Sequence, residues 1–291
     1  MRIASLLPAA TEIVMALGLD DQLACVTFEC AAAARARRPV VVDTAIPPDL
    51  TPGEIDAWVR DRTARGLAVY ELDRAALAAL DPDLILTQDL CRVCALPAGT
   101  VADACRAIGT DAEVLSLDPH TLDEVLDSIT AVGRAAGVDA VAAALVAGLR
   151  ARLAAVARAV AGRPRPRVLV LEWTDPPFLP GHWVPELVRR AGGEPVGAVE
   201  GGRSTAASWA ELPAADVVVV APCGMDLAAA LAQCPAVAAR LPGVSLVAID
   251  SAGYVVQAGP ALVDGVEALA WALHPATVAR PPAGRIAHHR G

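Results

Sequence analysis

No lysine occurs among the 291 residues; all 24 basic side chains are arginine. This excludes the phosphate-binding lysine of a Walker loop and any Schiff-base lysine. Aromatic residues make up 3% of the chain, with five Trp, two Tyr and two Phe, so a cluster of them in one stretch stands out. The arginines form no basic run before the last few residues, and the net charge is −9. That argues against nucleic acid and anionic membrane surfaces as partners. No unbroken apolar run approaches the roughly 18 residues of a membrane helix, so no membrane insertion is expected. There is no G-x-S-x-G, no GxGxxG opening a helix after a strand, and no carboxylate pair at a catalytic spacing. The expectation is a non-enzymatic protein. The opening MRIASLLPAATEIVMALGL has the hydrophobicity of a leader, but Pro8, Thr11 and Glu12 interrupt it and no clean cleavage site follows. A strand over 2–7 entering a helix over 9–17 is expected instead, and with it a cytoplasmic protein.

What the chain does contain is apolar: 55% of it is hydrophobic, enough for a large core. The stretch 138–161, VDAVAAALVAGLRARLAAVARAVA, consists mostly of good helix formers, without proline. Leu145, Leu149, Leu153 and Val156 recur at spacings of four and three, a helical stripe. About 24 residues at 1.5 Å each span roughly 36 Å, the length of a whole domain. Strand and helix patterns alternate on both sides. The stretch is read as a strut joining two lobes, against the plainer alternative of an ordinary amphipathic helix within one domain.

Before the strut, strands are expected at 24–28, 40–42, 84–87 and 113–116, and helices at 52–65, 74–80, 101–108 and 121–136. Thr51 with Glu54, and Thr121 with Glu124, have capping-box spacing. After it, strands are expected at 168–172, 217–220 and 245–249, and helices at 183–191, 227–239 and 260–273. The stretches 28–38 and 173–183 read as loops, 192–203 as irregular, and everything from Arg280 as a tail. The fold class is therefore α/β: two Rossmann-like α/β lobes joined by one long helix, with a ligand cleft between the lobes. The expected boundaries are an N-terminal α/β lobe over 1–121, connecting helices over 122–165, a C-terminal α/β lobe over 166–279, and a flexible tail over 280–291.

In parallel α/β sheets, ligands bind at loops beyond the carboxyl ends of the strands. Four of the seven cysteines fall in such loops: Cys30, Cys91, Cys94 and Cys223. Cys91-Arg92-Val93-Cys94 is a C-x-x-C, whose two thiolates can bite one metal ion or form a disulfide. With Cys30 and Cys223, a four-thiolate site for zinc or an iron–sulfur cluster is one reading; loosely placed thiols are the other. Cys25, Cys105 and Cys234 sit in strand and helix patterns and read as core. His120 and His182 lie on turn-rich loops, where a neutral imidazole can ligate a metal, a corrin cobalt included, or can simply be a hydrogen-bonding surface group. Trp173, Phe178 and Trp183 cluster on one loop. They either stack against a large flat ligand or form a local mini-core that anchors the loop. Tyr254, after a strand, is placed with them.

At this point the sequence resembles a known family. RIASLLPAATEIVMALGL, then LDPDLILTQDLC, then RVLVLEWTDPPFLPGHWVPELVRRAGG, are similar to the helical-backbone (class III) substrate-binding proteins of ABC importers, and most of all to their vitamin B12-binding branch. The resemblance covers about residues 1–275. It implies two α/β lobes joined by one long helix. It also implies a ligand, such as cobalamin, a ferric siderophore, haem or a metal ion, held between the lobes by loop residues. Carried onto this sequence, the ligand positions are Pro8, the loop of Glu29 and Cys30, the stretch from Gln88 and Asp89 to Cys94, Asp118 with His120, the stretch from Trp173 to Trp183, and the loop of Cys223. The opening residues are expected to be structural and not an export signal, which would set the chain apart from exported members and make docking to an importer doubtful.

The expected function is thus non-enzymatic binding of cobalamin or a related corrinoid. A metal or iron–sulfur protein using Cys30, Cys91, Cys94 and Cys223 is the alternative, and a thiol-dependent enzyme in the same cleft is a third.

Overall fold

The opening strand, Ile3–Ser5 (β1), lies inside a six-stranded sheet and is buried at every residue. The computed structural model describes residues 1–88, 99, 103 and 111–289. Contacts divide the chain into two units: Met1–Pro119 with Leu126–Val146, and His120–Val125 with Ala147–Gly291.

In the first unit, β1 pairs in parallel with Leu23–Thr27 (β2) and with Leu84–Thr87 (β5). Val40–Thr44 (β3) joins β2 in parallel, and Glu113–Ser116 (β6) joins β5. Tyr70–Leu72 (β4) closes the other edge antiparallel to β3. β4 carries no long apolar run, and pairing to β3 rather than its own pattern makes it a strand. The inner strands read as unbroken apolar runs because both faces are covered, and all four residues of β5 are buried. Pro8–Ala16 (α1) starts with proline in its first turn, where the missing N–H costs nothing. Within the expected loop 28–38, Ala32–Arg35 forms a short helix (α2). Pro52–Ala64 (α3) carries the expected capping box: Thr51 N–H donates to Glu54 Oε2 (2.8 Å), and Glu54 N–H to Thr51 Oγ1 (3.4 Å). Arg74–Leu80 (α4) is capped by Asp73, which accepts from Ala76 N–H at 2.9 Å.

Leu122–Ala135 (α5) and Asp139–Val160 (α6) follow. They are divided between the units, at Val125/Leu126 and at Val146/Ala147. Gly137, at φ +70°, turns the chain between them. Ala142, Val146, Leu149, Leu153 and Val156 form the buried stripe of α6. By length and composition alone, α6 is long and apolar enough to cross a membrane. Arg150, Arg152 and Arg158 interrupt its apolar run, so no unbroken run of that length is present in it. Arg152 is tied within the protein, donating to Asp264 Oδ1 (2.5 Å) and Glu267 Oε2 (2.7 Å).

In the second unit, Arg167–Leu171 (β7), Glu194–Pro195 (β10), Val217–Val220 (β12), Ser245–Ile249 (β13) and Ile286–His289 (β14) form a sheet of order β10-β7-β12-β13-β14. The first four are parallel and β14 is antiparallel to β13. The expected tail is thereby corrected over 286–289. Ile286 is buried opposite Ile249, and Arg285 ion-pairs with Asp250 at the end of β13, so a short polar strand is held by pairing and one charge. The expected loop 173–183 is corrected as well. Trp173–Thr174 (β8) and Pro177–Leu179 (β9) form a hairpin about a cis Asp175–Pro176 peptide, and Thr205–Ala206 (β11) adds a third antiparallel strand. Val184–Arg190 (α7), Leu227–Arg240 (α8), Ser251–Tyr254 (α9) and Leu262–Leu273 (α10) complete the unit.

Candidate functional site

The candidate residues of the first unit gather where its parallel strands end. In the first unit, β1 leads to Ser5 and Pro8, β2 to Glu29 and Cys30, β5 to Gln88, and β6 to Asp118. Pro8 and Gln88 are half-buried. Asp118 is exposed and accepts from Ser116 Oγ at 2.6 Å. Cys30 is only 3% exposed. Its sulfur lies 3.2 Å from Thr11 Oγ1 and 3.4 Å from Thr27 Oγ1. Thr11 donates its one hydroxyl proton to Ser5 Oγ (2.8 Å), and Ser5 donates to the carbonyl of Leu7 (2.9 Å). Each hydroxyl or thiol has one proton to give, so the chain has one direction: Thr27 to Cys30, Cys30 to Thr11, Thr11 to Ser5, Ser5 to the backbone. Beside Cys30, burial pushes the Cys25 thiol up to about 12, as befits a core residue. Glu29 is exposed on one side, and on the other the protein displaces its water and pushes its carboxyl up to about 7.

Of the metal set expected from the cysteines, Cys30 and Cys223 are among the described residues. Asp89, Cys91 and Cys94 lie outside the described residues, as does Cys105. Cys223 is exposed, and its N–H donates to the carbonyl of Glu172 at 2.8 Å. Among the described residues no group of three or more His, Cys, Asp or Glu is placed to hold a metal ion.

The second unit brings His120, His182 and Trp183 together. The His120 and His182 rings are 5.7 Å apart between centroids, and so are those of His182 and Trp183. The Thr121–Glu124 capping box fixes His120 in place: Glu124 Oε2 accepts from the N–H of His120 (2.5 Å) and of Thr121 (3.2 Å). The exposed His120 ring meets the carbonyl of Gly201 through Nδ1, at 3.1 Å. A carbonyl only accepts, so Nδ1 carries a proton, and in the neutral ring the lone pair is on Nε2. His182 sits at φ +49°, a conformation unusual outside glycine. Two backbone bonds hold it there: its N–H donates to Gly202 O (2.6 Å), and its carbonyl accepts from Gly201 N–H (3.0 Å). The Gly201 peptide thus binds both histidines. Gly181 makes this approach feasible, since a Cβ there would lie 2.5 Å from the backbone of Arg203, Gly202 and Ser204. Burial, and then the charges of His120 and Arg203, push the His182 imidazole down, toward its neutral form. Its Nε2 is buried without a hydrogen-bond partner among the described residues.

The aromatic residues divide by role. Trp183 is 5% exposed and donates its indole N–H to the carbonyl of Val255 (2.8 Å), so it anchors the loop. Tyr254 is buried, with the Arg285 guanidinium 5.3 Å from its ring centroid. Trp173 and Phe178 are half-buried and directly opposite each other across the β8–β9 hairpin, where cross-strand side chains share one face. Trp173 Nε1–H donates to Asp175 O at 3.1 Å. Sequence reasoning missed the roles of Gly181, Gly201 and Gly202, and the bond from Ser204 Oγ to Glu172 that ties β11 to the end of β7. The Gly201-Gly202 pair was the one available signal.

The geometry has relatives. The family model described as "Periplasmic binding protein" matches residues 3–233. Among solved structures, a periplasmic haem-binding protein from Pseudomonas aeruginosa is similar over 100% of this chain and 98% of its own, at 22% identity and a TM-score of 0.71. The periplasmic haem-binding protein HutB of Vibrio cholerae matches over 94% of this chain and 99% of its own, at 18% identity and a TM-score of 0.68. The periplasmic vitamin B12-binding protein BtuF of Vibrio cholerae matches over 92% and 94%, at 21% identity and a TM-score of 0.65. No curated protein matches the chain. With the family model spanning most of its length and the same fold in these structures, this chain belongs to the periplasmic binding protein family.

Proposed function

We propose that the protein binds a metal-containing tetrapyrrole, with a cobalamin-like corrinoid as the first ligand. The observation that carries this is the histidine pair of the second unit. There, two imidazoles lie 5.7 Å apart, and the chain reaches His182 shortly after a hairpin that presents Trp173 and Phe178 on one face. Aromatic faces suit a large flat ring, and neutral imidazole suits its metal. Relatives of this fold whose names specify vitamin B12 or haem support the same ligand class. Haem is the second reading, favoured by the naming of both the Pseudomonas aeruginosa and HutB structures. The cytoplasmic location belongs to the proposal too, with fractionation of native cells as its check. Equilibrium dialysis against aquacobalamin and, separately, haemin tests the ligand. Retention of cobalamin at one per chain is the expected result. Retention of haem alone moves the protein to the second reading, and retention of neither removes the proposal.

A further inference from the structure

We propose that His120 is the residue that binds the tetrapyrrole's metal, through Nε2, with the Gly201 carbonyl as the group that aims it. This rests on the tetrapyrrole reading above and names the ligating atom within it. Three observations converge on His120 rather than on its neighbour. First, its Nδ1–H is engaged by Gly201 O at 3.1 Å, which fixes the tautomer and leaves the Nε2 lone pair for a metal. Metal-ligating histidines characteristically give their other ring N–H to a carbonyl or carboxylate in this manner. Second, the His120 side chain is open to solvent, whereas His182 Nε2 is buried, so only His120 can meet an incoming ligand without rearrangement. Third, the Gly201 peptide that accepts from His120 also donates to the His182 carbonyl at 3.0 Å. The aiming carbonyl is therefore part of a fixed backbone link and not a loose contact. His182, 5.7 Å from His120 between ring centroids, walls the imidazole on one side.

The step is a ligand exchange. The Nε2 lone pair of a neutral imidazole forms a bond to cobalt(III), the bond from cobalt to its axial water breaks, and the water leaves. No proton or electron moves, and the charge of the complex is unchanged. With aquacobalamin as the ligand, binding therefore replaces an oxygen donor by a nitrogen donor at the metal.

Absorption spectra with dialysis on the same samples test this. The reference is aquacobalamin treated with free imidazole. Wild-type protein is expected to give the imidazole-type spectrum on binding. His120→Ala is expected to retain cobalamin at least tenfold more weakly and with the aqua-type spectrum, and added imidazole should restore the imidazole-type band. His182→Ala, monitored for folding by its melting curve, should keep the imidazole-type spectrum. Bound cobalamin with an unchanged aqua-type spectrum in the wild type overturns the assignment while leaving corrinoid binding intact. So does an imidazole-type spectrum that survives in His120→Ala or disappears only in His182→Ala. Retention of no cobalamin by the wild type overturns the assignment together with the corrinoid reading.

Discussion

Each unit groups polar residues in the segments that follow strands, and the two groups are used in opposite ways. In the first unit, Thr27, Cys30, Thr11 and Ser5 hand their protons to one another and finally to the carbonyl of Leu7. Every group is satisfied, and all four are buried. In the second unit, His120 spends one ring nitrogen on Gly201 and keeps the other, and His182 buries an Nε2 with no partner among the described residues. A satisfied network stiffens a fold, whereas an unsatisfied buried polar atom costs free energy and calls for a reason. The difference separates residues that hold the sheet edge together from His120, whose exposed ring keeps one nitrogen open, with the buried His182 Nε2 beside it.

Mutations should separate the two edges. The largest effects belong to the cores beneath them, and these set the scale. Ile85→Ala and Leu169→Ala each remove a fully buried side chain and should each cost about 2–5 kcal/mol in urea unfolding. Next is the thiol–hydroxyl chain: Thr11→Val removes its central link and should cost about 1–3 kcal/mol, since Ser5 and Cys30 each lose a buried partner. A Thr11→Val variant as stable as the wild type would show that the chain does not hold the edge. Gly181→Ala should cost a similar amount, about 1–3 kcal/mol, because the added methyl meets backbone that cannot retreat, and it should also loosen the histidine pair. The exposed His120, by contrast, should change unfolding by less than about 0.5 kcal/mol when replaced by alanine.

How far these roles could be read beforehand follows from the physics of each element. Covered parallel strands write themselves as apolar runs, so 84–87 and 217–220 were legible to the residue. Thr51 with Glu54 and Thr121 with Glu124 were legible because a capping box has a fixed spacing. Ile286–His289 and Tyr70–Leu72 were not, since a short edge strand exists only through the strand it pairs with. At the site, His120 and His182 were picked out as loop histidines, but their proximity spans 62 positions in sequence and passes through the backbone of Gly201, which has no side chain to advertise it. For Trp183 the sequence left a ligand face and a loop anchor both open, for a related reason: whether an aromatic on a loop turns outward or inward depends here on a carbonyl, Val255, that lies 72 residues away.

The smaller effects concern pH. His182 is pushed below its ordinary 6.5 in the folded state, so the unfolded chain takes up a proton first as the pH falls. Its contribution is fully present above about 6.5 and is lost as the pH drops through the folded value. His182→Gln should therefore flatten the fall in melting temperature between pH 7 and pH 5. Glu29 runs the other way. Raised from 4.5 to about 7, it favours the fold below 4.5, and that contribution is lost as the pH rises through about 7. Glu29→Gln should raise the melting temperature at pH 8 and leave it unchanged at pH 4. The effect should be the smallest of the set, because the residue's exposed side keeps much of its water.

The central claim, that the open edge exists for a metal-containing tetrapyrrole, is tested most directly by the melting temperature of the wild-type protein with and without aquacobalamin. Free ligand at a hundred times its Kd stabilises the native state by about 2.7 kcal/mol through mass action alone. The account predicts a rise in melting temperature that grows with the logarithm of cobalamin concentration and is reduced in His120→Ala. A melting temperature that does not move at any concentration of aquacobalamin or haemin would contradict it.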